Sequence, residues 1–450
     1  MCGNCGLLAH IRLERSYYAA TIPSMSVPGF NVFNDTYEKV ERFYENLNHE
    51  DYHFINSNDE STPIGCVKEM VDSIPGSFWK RKDIKVLDPC AGNGNFHAYL
   101  LRKTAFENLY FNEINEMRVE NIKRIFGPGA KVSLEDFLTF EEKEQFDLIV
   151  SNPPYAKFNG SNRTAKNHNL SRDFILKAIK ITKPGGYILF IVPDNWMSLA
   201  DRNDVVRTLS QYQFRHLNIH RAKRWFPKVG SSFSWFLLQK IPNKESFVVE
   251  NGYKIKTVTR AQLYPGTDYI PLYFNNEVRS IIEKTLDSDN KKYNIETSSD
   301  LHKFTRRDLL SEKKDAAHPF KIIHTPTQTV WAKRPHKFQN GYKVFISLTN
   351  QYSTFVEKDA GATQSIAFVR CKNKKEAERI KSELDNGLYI FLNNITRYGN
   401  FNNIRVLQRF PVLTDFRLTE REQECISEFN EHYARRYTKQ QRLSLGAEKR

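Results

Sequence analysis

The sequence predicts an α/β protein: a doubly wound, mostly parallel sheet, followed by a C-terminal domain of mixed α+β character. Three observations carry this. From residue 84, short apolar runs alternate with stretches of helical period, the pattern of strand–helix–strand units. The first run ends in a turn holding Gly92 and Gly94, the place where doubly wound sheets meet their ligands. Near residue 243 the alternation stops, proline scatters and basic clusters grow denser. The 450 residues suffice for two or three domains. We divide them into an N-terminal extension (1–55), an α/β domain (56–243), a second domain (244–425) and a basic tail (426–450).

Each element has a local reason. "STPIGCVKEMVDSIP" predicts a helix capped by Ser61 or Thr62, with Pro63 in its first turn and Ile64, Val67, Met70 and Val71 apolar. "IKVLD" is a strand, "GNFHAYLLRK" a helix and "ENLYFNEI" a second strand. "NEMRVENIKRIFG" is a helix closed by Gly127, and "AKVS" a short strand. "FDLIVS" is the fourth strand, and "SRDFILKAIKIT" a helix ended by "KPGG". "YILFIVP" is apolar throughout, as a central strand must be, and "HLNIHR" and "SFSWFLLQK" close the sheet. Beyond 243, "GYKVFISL" and "QSIAFVRC" predict strands and "NKKEAERIKSELD" a helix. "RRYTKQQRLSLGAEKR", with six basic residues and one acidic, reads as a solvated basic end.

Composition excludes several classes. With 40% hydrophobic and 26% charged residues the chain is globular rather than disordered. No apolar run approaches the roughly 20 residues of a membrane span, and the N-terminus lacks the apolar core of a signal peptide. Six irregularly spaced cysteines suit a reducing, cytoplasmic setting, and Cys2 and Cys5 have no second pair to complete a zinc site. Against 52 acidic residues stand 67 Lys and Arg, a net charge of +15 that attracts polyanions, nucleic acid first. Aromatics at 13% add faces for stacking on bases.

The strand ends carry the chemistry. Glu113 follows Asp88 by 25 positions, where a carboxylate accepts ribose hydroxyls. Asp136 and Phe137 offer a carboxylate and a ring for an adenine. His97 occupies the third glycine position of a dinucleotide fingerprint, and no Walker-type lysine follows a glycine, so a nucleoside fits better than a di- or triphosphate. The fourth strand then runs into Asn152, Pro153, Pro154 and Tyr155, a stiff corner that cannot continue a sheet ladder.

"LDPCAGNGNF", Glu113, "EDF" and "SNPPY", in that order, resemble the successive motifs of S-adenosylmethionine-dependent amino-methyltransferases. Asn-Pro-Pro-Tyr marks those acting on the N6 amine of adenine, and the layout resembles the gamma class of DNA adenine methyltransferases over about residues 60 to 243. The resemblance implies a class I methyltransferase fold. It implies S-adenosyl-L-methionine as cofactor, held by Thr62, Asp88, Cys90, Ala91, Gly92, Gly94, Glu113, Asp136, Phe137 and Pro154, without a metal. Asn152, Pro153 and Tyr155 become the catalytic residues, and Phe226 packs on the flipped base opposite Tyr155, with Trp225 and Phe233 as alternatives. The implied partner is double-stranded DNA, bound by a monomer with a separate cognate restriction endonuclease. Residues 334 to 338, Lys343, Arg397, Arg405 and Arg409 are candidate contacts to it. Cytosine N4, adenine in RNA and a protein glutamine amide remain alternative targets.

The corner has a physical reading of its own. An exocyclic amine is a poor nucleophile because its lone pair is conjugated with the ring. Acceptors on both of its N–H bonds draw the nitrogen toward tetrahedral geometry, and the Asn152 amide oxygen and Pro153 carbonyl supply that pair.

Overall fold

The computed structural model describes residues 29–48, 60–139, 145–155, 158–159, 162–163, 170–200, 204–227, 232–252, 257–301, 307–349, 351–399 and 401–447. Cys2 and Cys5, and most of the expected N-terminal extension, lie outside them. A nine-stranded sheet organises the first half. Its strands are β1 (Val86–Asp88), β2 (Leu109–Glu113), β3 (Lys131–Leu134), β4 (Phe146–Ser151), β5 (Thr182–Pro193), β6 (Tyr212–Ile219), β7 (Phe233–Pro242), β8 (Phe247–Asn251) and β9 (Thr257–Ala261). Their order is β9-β8-β6-β7-β5-β4-β1-β2-β3. Strands β1 to β5 pair in parallel, whereas β7 runs against both β5 and β6.

Alternation along the central strands builds two cores. Tyr187, Leu189 and Ile191 of β5 face one layer, Ile188, Phe190 and Val192 the other. The first layer holds α1 (Tyr37–Asn48), α2 (Ile64–Asp72), α3 (Asn95–Leu100) and α4 (Glu116–Phe126), with Tyr44, Val67, Phe96 and Ile122 among its buried residues. The second holds α5 (Leu170–Ile181), through Phe174, Ile175 and Ala178. So α1, from the expected extension, is part of the sheet's own packing, and its Tyr44 hydroxyl donates to the Asn93 carbonyl at 3.1 Å.

Pro63 sits at the N-cap of α2 with no side-chain cap, and Thr62 is buried instead. The sheet also runs past residue 243. After β7 the chain turns back as β8, parallel to β6, and β9 returns antiparallel to it. Leu263, Ile270, Leu272 and Phe274 then pack into the second layer.

The remainder forms two smaller sheets and a helical cluster. The larger of these sheets runs β10 (Leu310–Ser311), β11 (Phe320–Thr325), β12 (Gln328–Ala332) and β15 (Gly361–Ala362), the other β13 (Tyr342–Ser347), β14 (Thr354–Lys358) and β16 (Ile366–Cys371). Helices α6 (Asn276–Lys284), α7 (Lys374–Leu384), α8 (Gly387–Ile395) and α9 (Glu420–Ala447) bury a third core with β13 and β16. The seam to the first half is backbone-bonded: Leu272 N–H donates to Ile395 at 2.6 Å and Ile270 N–H to Met197 at 2.9 Å.

The expected basic tail begins within α9, whose turns ahead of the basic run are packed, while the side chains of 435–450, the run read as solvated, lie outside the described residues. Ile426 and Phe429 are buried, the latter against Tyr273 and Phe391 with ring centroids 5.3 and 5.2 Å away. Five glutamates and Arg421 stand among these apolar positions over 420–433, so charge in the sequence masked an anchoring helix. Phe429→Ala is expected to cost about 3–5 kcal/mol, read as a lower urea midpoint with an unchanged slope. A shift under about 1 kcal/mol would show that α9 is not an anchor.

Candidate active site

The parallel strands end along one rim, and the loops leaving them surround a cavity of about 340 Å³. Asp88 ends β1 with its carboxyl buried, Oδ1 accepting from the Cys90 amide at 3.0 Å. Burial pushes its pKa up to about 8, opposed by the Cys90 hydrogen bond and assisted by the nearby charge of Glu113. Glu113 ends β2. Its Oε2 accepts from the Gly92 amide at 2.8 Å, and Oε1 from the amides of Ile114 and Asn115, both at 2.9 Å. One carboxylate thereby fastens the turn after β1 to the start of α4. Gly92 is left-handed at φ +57, and a Cβ there would meet nothing within 4 Å, so the turn presents bare backbone to the opening.

Past β3, Asp136 is exposed, its Oδ1 accepting from the Leu138 amide at 2.9 Å. Phe137 is buried and stacks on Phe174 of α5 at 5.3 Å. At the end of β4, Asn152 Nδ2 donates to the Glu60 carbonyl at 2.8 Å, and Tyr155 Oη donates to Asn152 Oδ1 at 2.5 Å. A backbone carbonyl accepts only from the amide nitrogen, so this pair of bonds fixes which end of Asn152 is the acceptor.

Of the expected residues, Thr62, Asp88, Cys90, Ala91, Gly92, Glu113, Asp136, Phe137, Asn152, Pro153, Pro154 and Tyr155 line this single cavity. Two do not. Gly94 is left-handed at φ +85, and a Cβ on it would come within 2.4 Å of the Phe126 ring. Its small size serves the packing of α3 on α4. Phe226 is only 3% exposed and belongs to the first core, its ring 4.8 Å from Phe233. Phe233 is the ring nearer the corner, 5.5 Å from Tyr155.

Other residues carry no signature in sequence. Asn112 Nδ2 donates to the carbonyls of Pro89 at 3.1 Å and Glu135 at 3.2 Å, tying the loops after β1 and β3 together. Asn95 donates to the Thr62 carbonyl at 2.8 Å, and Glu60 acts through its backbone alone. Ile114 lines the cavity yet stays 60% exposed, an apolar face directly after the strand-end acid. That adjacency was the one available signal.

Several expected polyanion contacts are internal. Lys343 is buried and donates to the carbonyls of Gln339, Asn340 and Gly341. Arg409 pairs with Asp287 at 3.0 Å and Asp268 at 3.2 Å, and His336 is buried against Ser298. Arg334, Lys337 and Arg405 are exposed. Among the described residues no cluster suited to a metal ion occurs, and no helix is long and apolar enough to cross a membrane.

Five parallel strands, a reversed seventh strand between the fifth and sixth, and a cavity at the strand ends beside an Asn-Pro-Pro-Tyr corner define a class I methyltransferase fold. Comparison with known proteins carries this one step further. Residues 79–226 match the family described as Eco57I restriction-modification methylase. The type II methyltransferase M.HincII of Haemophilus influenzae is 26% identical over 236 residues, 48% of this chain and 44% of the relative. The match thus spans less than half of that relative's length. A tRNA1(Val) (adenine(37)-N6)-methyltransferase of Glaesserella parasuis is 30% identical over 120 residues, 24% of this chain and 51% of that one. Among solved structures, a complex of DrdV with DNA aligns over 95% of this chain and 62% of its own, with 13% identity and a TM-score of 0.49.

The buried Asp88 sets a pH dependence. Its folded pKa, about 8, lies above its ordinary value of 3.8, so folding favours the protonated form. The stability this gives is complete below about pH 4 and is lost as pH rises to about 8. Asp88→Asn is expected to flatten that decline in urea titrations run across the interval. An undiminished decline in the variant would mean that Asp88 does not cause it.

Proposed function

We propose that this chain transfers a methyl group from S-adenosylmethionine to the N6 amine of an adenine flipped out of duplex DNA, as the modification member of a restriction-modification system. The observation that carries the reading is the fixed polarity of Asn152: its nitrogen is held by the Glu60 carbonyl and its oxygen is left as the acceptor beside Tyr155.

The cavity fits the cofactor. Bare backbone at Gly92, the carboxyl groups of Asp88 and Glu113, and apolar faces at Ile114 and Phe137 suit a nucleoside. When bound, S-adenosylmethionine supplies an electrophilic methyl group on sulfur. The protein orients the amine. Asn152 Oδ1 has two acceptor sites, one taken by the Tyr155 hydroxyl, so the second is open to an N–H of the base. The Pro153 carbonyl, stiffened by two prolines, takes the other N–H, and the nitrogen's lone pair is freed toward the methyl group. No base is required before attack, because the methylated amine is acidic enough to lose its proton afterward. Tyr155 offers a stacking face, and the base must leave the duplex to reach it. Arg334, Lys337 and Arg405 are exposed where phosphates could approach, Lys337 on leaving its 3.2 Å pairing with Asp300.

A second reading, adenine in RNA, is favoured by the similarity to the tRNA adenine enzyme. Both are tested by incubating the protein with tritiated S-adenosylmethionine and unmethylated genomic DNA or total RNA, then digesting to nucleosides. Label is expected in N6-methyl-2′-deoxyadenosine from DNA, reduced by about 100-fold or more in Asn152→Ala. Label confined to RNA would select the second reading, and N4-methylcytosine would move the target base. Label in neither nucleic acid would end both.

A further inference from the structure

Behind the catalytic corner a second polar cluster joins elements distant in sequence. Glu69 lies on α2, the helix whose preceding residues bring Thr62 to the cavity. Its Oε1 accepts from Asn218 Nδ2 of β6 at 3.1 Å and from Trp235 Nε1 of β7 at 3.3 Å. Its Oε2 accepts from Trp225 Nε1 at 3.2 Å and from the Arg224 guanidinium. These last two close the short turn Arg221–Trp225, which Phe226 follows.

The turn is constrained at both ends. It opens at His220, a non-glycine residue in the left-handed region at φ 63, whose ring pairs with the buried Asp194. It ends with the Trp225 indole pressed on α2, so close that a Cβ at Gly65 would lie 2.5 Å from Cη2. Phe226 then meets Phe233 at 4.8 Å, and Phe233 meets Tyr155 at 5.5 Å. A line of rings thus runs from the turn to the corner.

Glu69 does not duplicate its neighbour. Glu250 of β8 already accepts from His216 and Asn218 and pairs with Arg221 at the start of the turn. What Glu69 adds is the grip on the end of the turn, Arg224 and Trp225. We propose that Glu69 is a positioning residue for methyl transfer: it holds the 220–226 turn and thereby sets the rings of Phe226 and Phe233 that back Tyr155. This deepens the adenine-transfer reading and rests on it. It also couples the helix beside the cofactor cavity to the wall of the base site.

The test is Glu69→Gln in the full chain, which sets an amide nitrogen against donors that need an acceptor. Trypsin is expected to cut the native variant after Arg221, Lys223 or Arg224 about tenfold faster than the wild type, as the lost charge-assisted bonds imply. Single-turnover methylation of genomic DNA is expected to fall about 100-fold, the scale of a misplacement near 1 Å. The dissociation constant for S-adenosylmethionine is expected to stay within about twofold, and the thermal midpoint within a few degrees. If the Gln variant does not fold, Arg224→Gln with Trp225→Phe removes the same bonds from the turn's side. A turn as protease-resistant as in the wild type would overturn the proposal. So would losses of cofactor affinity and thermal midpoint in step with the rate, since that is a fold staple. If wild-type protein labels no nucleic acid, the adenine-transfer reading falls, while the proteolysis still judges whether Glu69 holds the turn.

Discussion

Three backbone N–H groups converge on the Glu113 carboxylate, and the shape of the strand-end cavity depends on that convergence. Hydrogen bonds to a charged group contribute about 1.5–3 kcal/mol each where they are shielded from water, and the Glu113 carboxylate that accepts these is buried. Because Gly92 comes from one loop and Ile114 and Asn115 from the next, the bonds hold two βα loops in a fixed relation. Asn112 repeats the device one residue earlier, spanning from Pro89 to Glu135. Asn115, freed from the strand, caps α4 by accepting from the Met117 amide at 3.0 Å. The rim is therefore stiff before any ligand arrives, and the ordering cost falls on folding rather than on binding.

The Asn152 corner inherits that stiffness from the other side. Asn152 is anchored to Glu60, the first described residue ahead of α2, so its orientation depends on a segment 92 positions away in the chain. Thr62, two residues on, is held by Asn95 of α3. The corner after β4, the strap before α2 and the helix after β1 thus form one closed hydrogen-bonded circuit around the cavity. A polar side chain at the end of a strand is free to rotate; closing the circuit removes that freedom. Rigid placement of dipoles is what lets a site act on a weak nucleophile without a strong base.

Much of this was legible because it is local. Strands β1, β2, β4 and β5 announce themselves as apolar runs, α4 by Asn115 and Gly127 at its two ends, and the strand-end acids by their position. Other parts were hidden for definite reasons. Strands β8 and β9 follow β7 with no helix between them, so the rhythm changes while the sheet continues. Helix α9 carries its apolar positions among many charges, which hid an anchoring face. Gly94 reads as a ligand-facing glycine because the sequence cannot say which neighbour crowds it, and here it is Phe126. Glu60 works only through its carbonyl, which any residue possesses. Phe226 sits one ring behind the position its motif implies, since ring order depends on how the turn folds against β7.

The burial of Lys343 has an arithmetic consequence. Its ammonium is spent on three carbonyls of its own chain, Arg409 on two aspartates, and Lys284 on Glu422. The formal +15 counts every basic group alike, wherever it sits. Binding to a polyanion releases roughly 0.9 counterion per phosphate actually neutralised. The slope of affinity against salt therefore counts only side chains that reach solvent on one face. For this chain, the basic composition sets an upper bound on that slope and overstates the footprint beneath it.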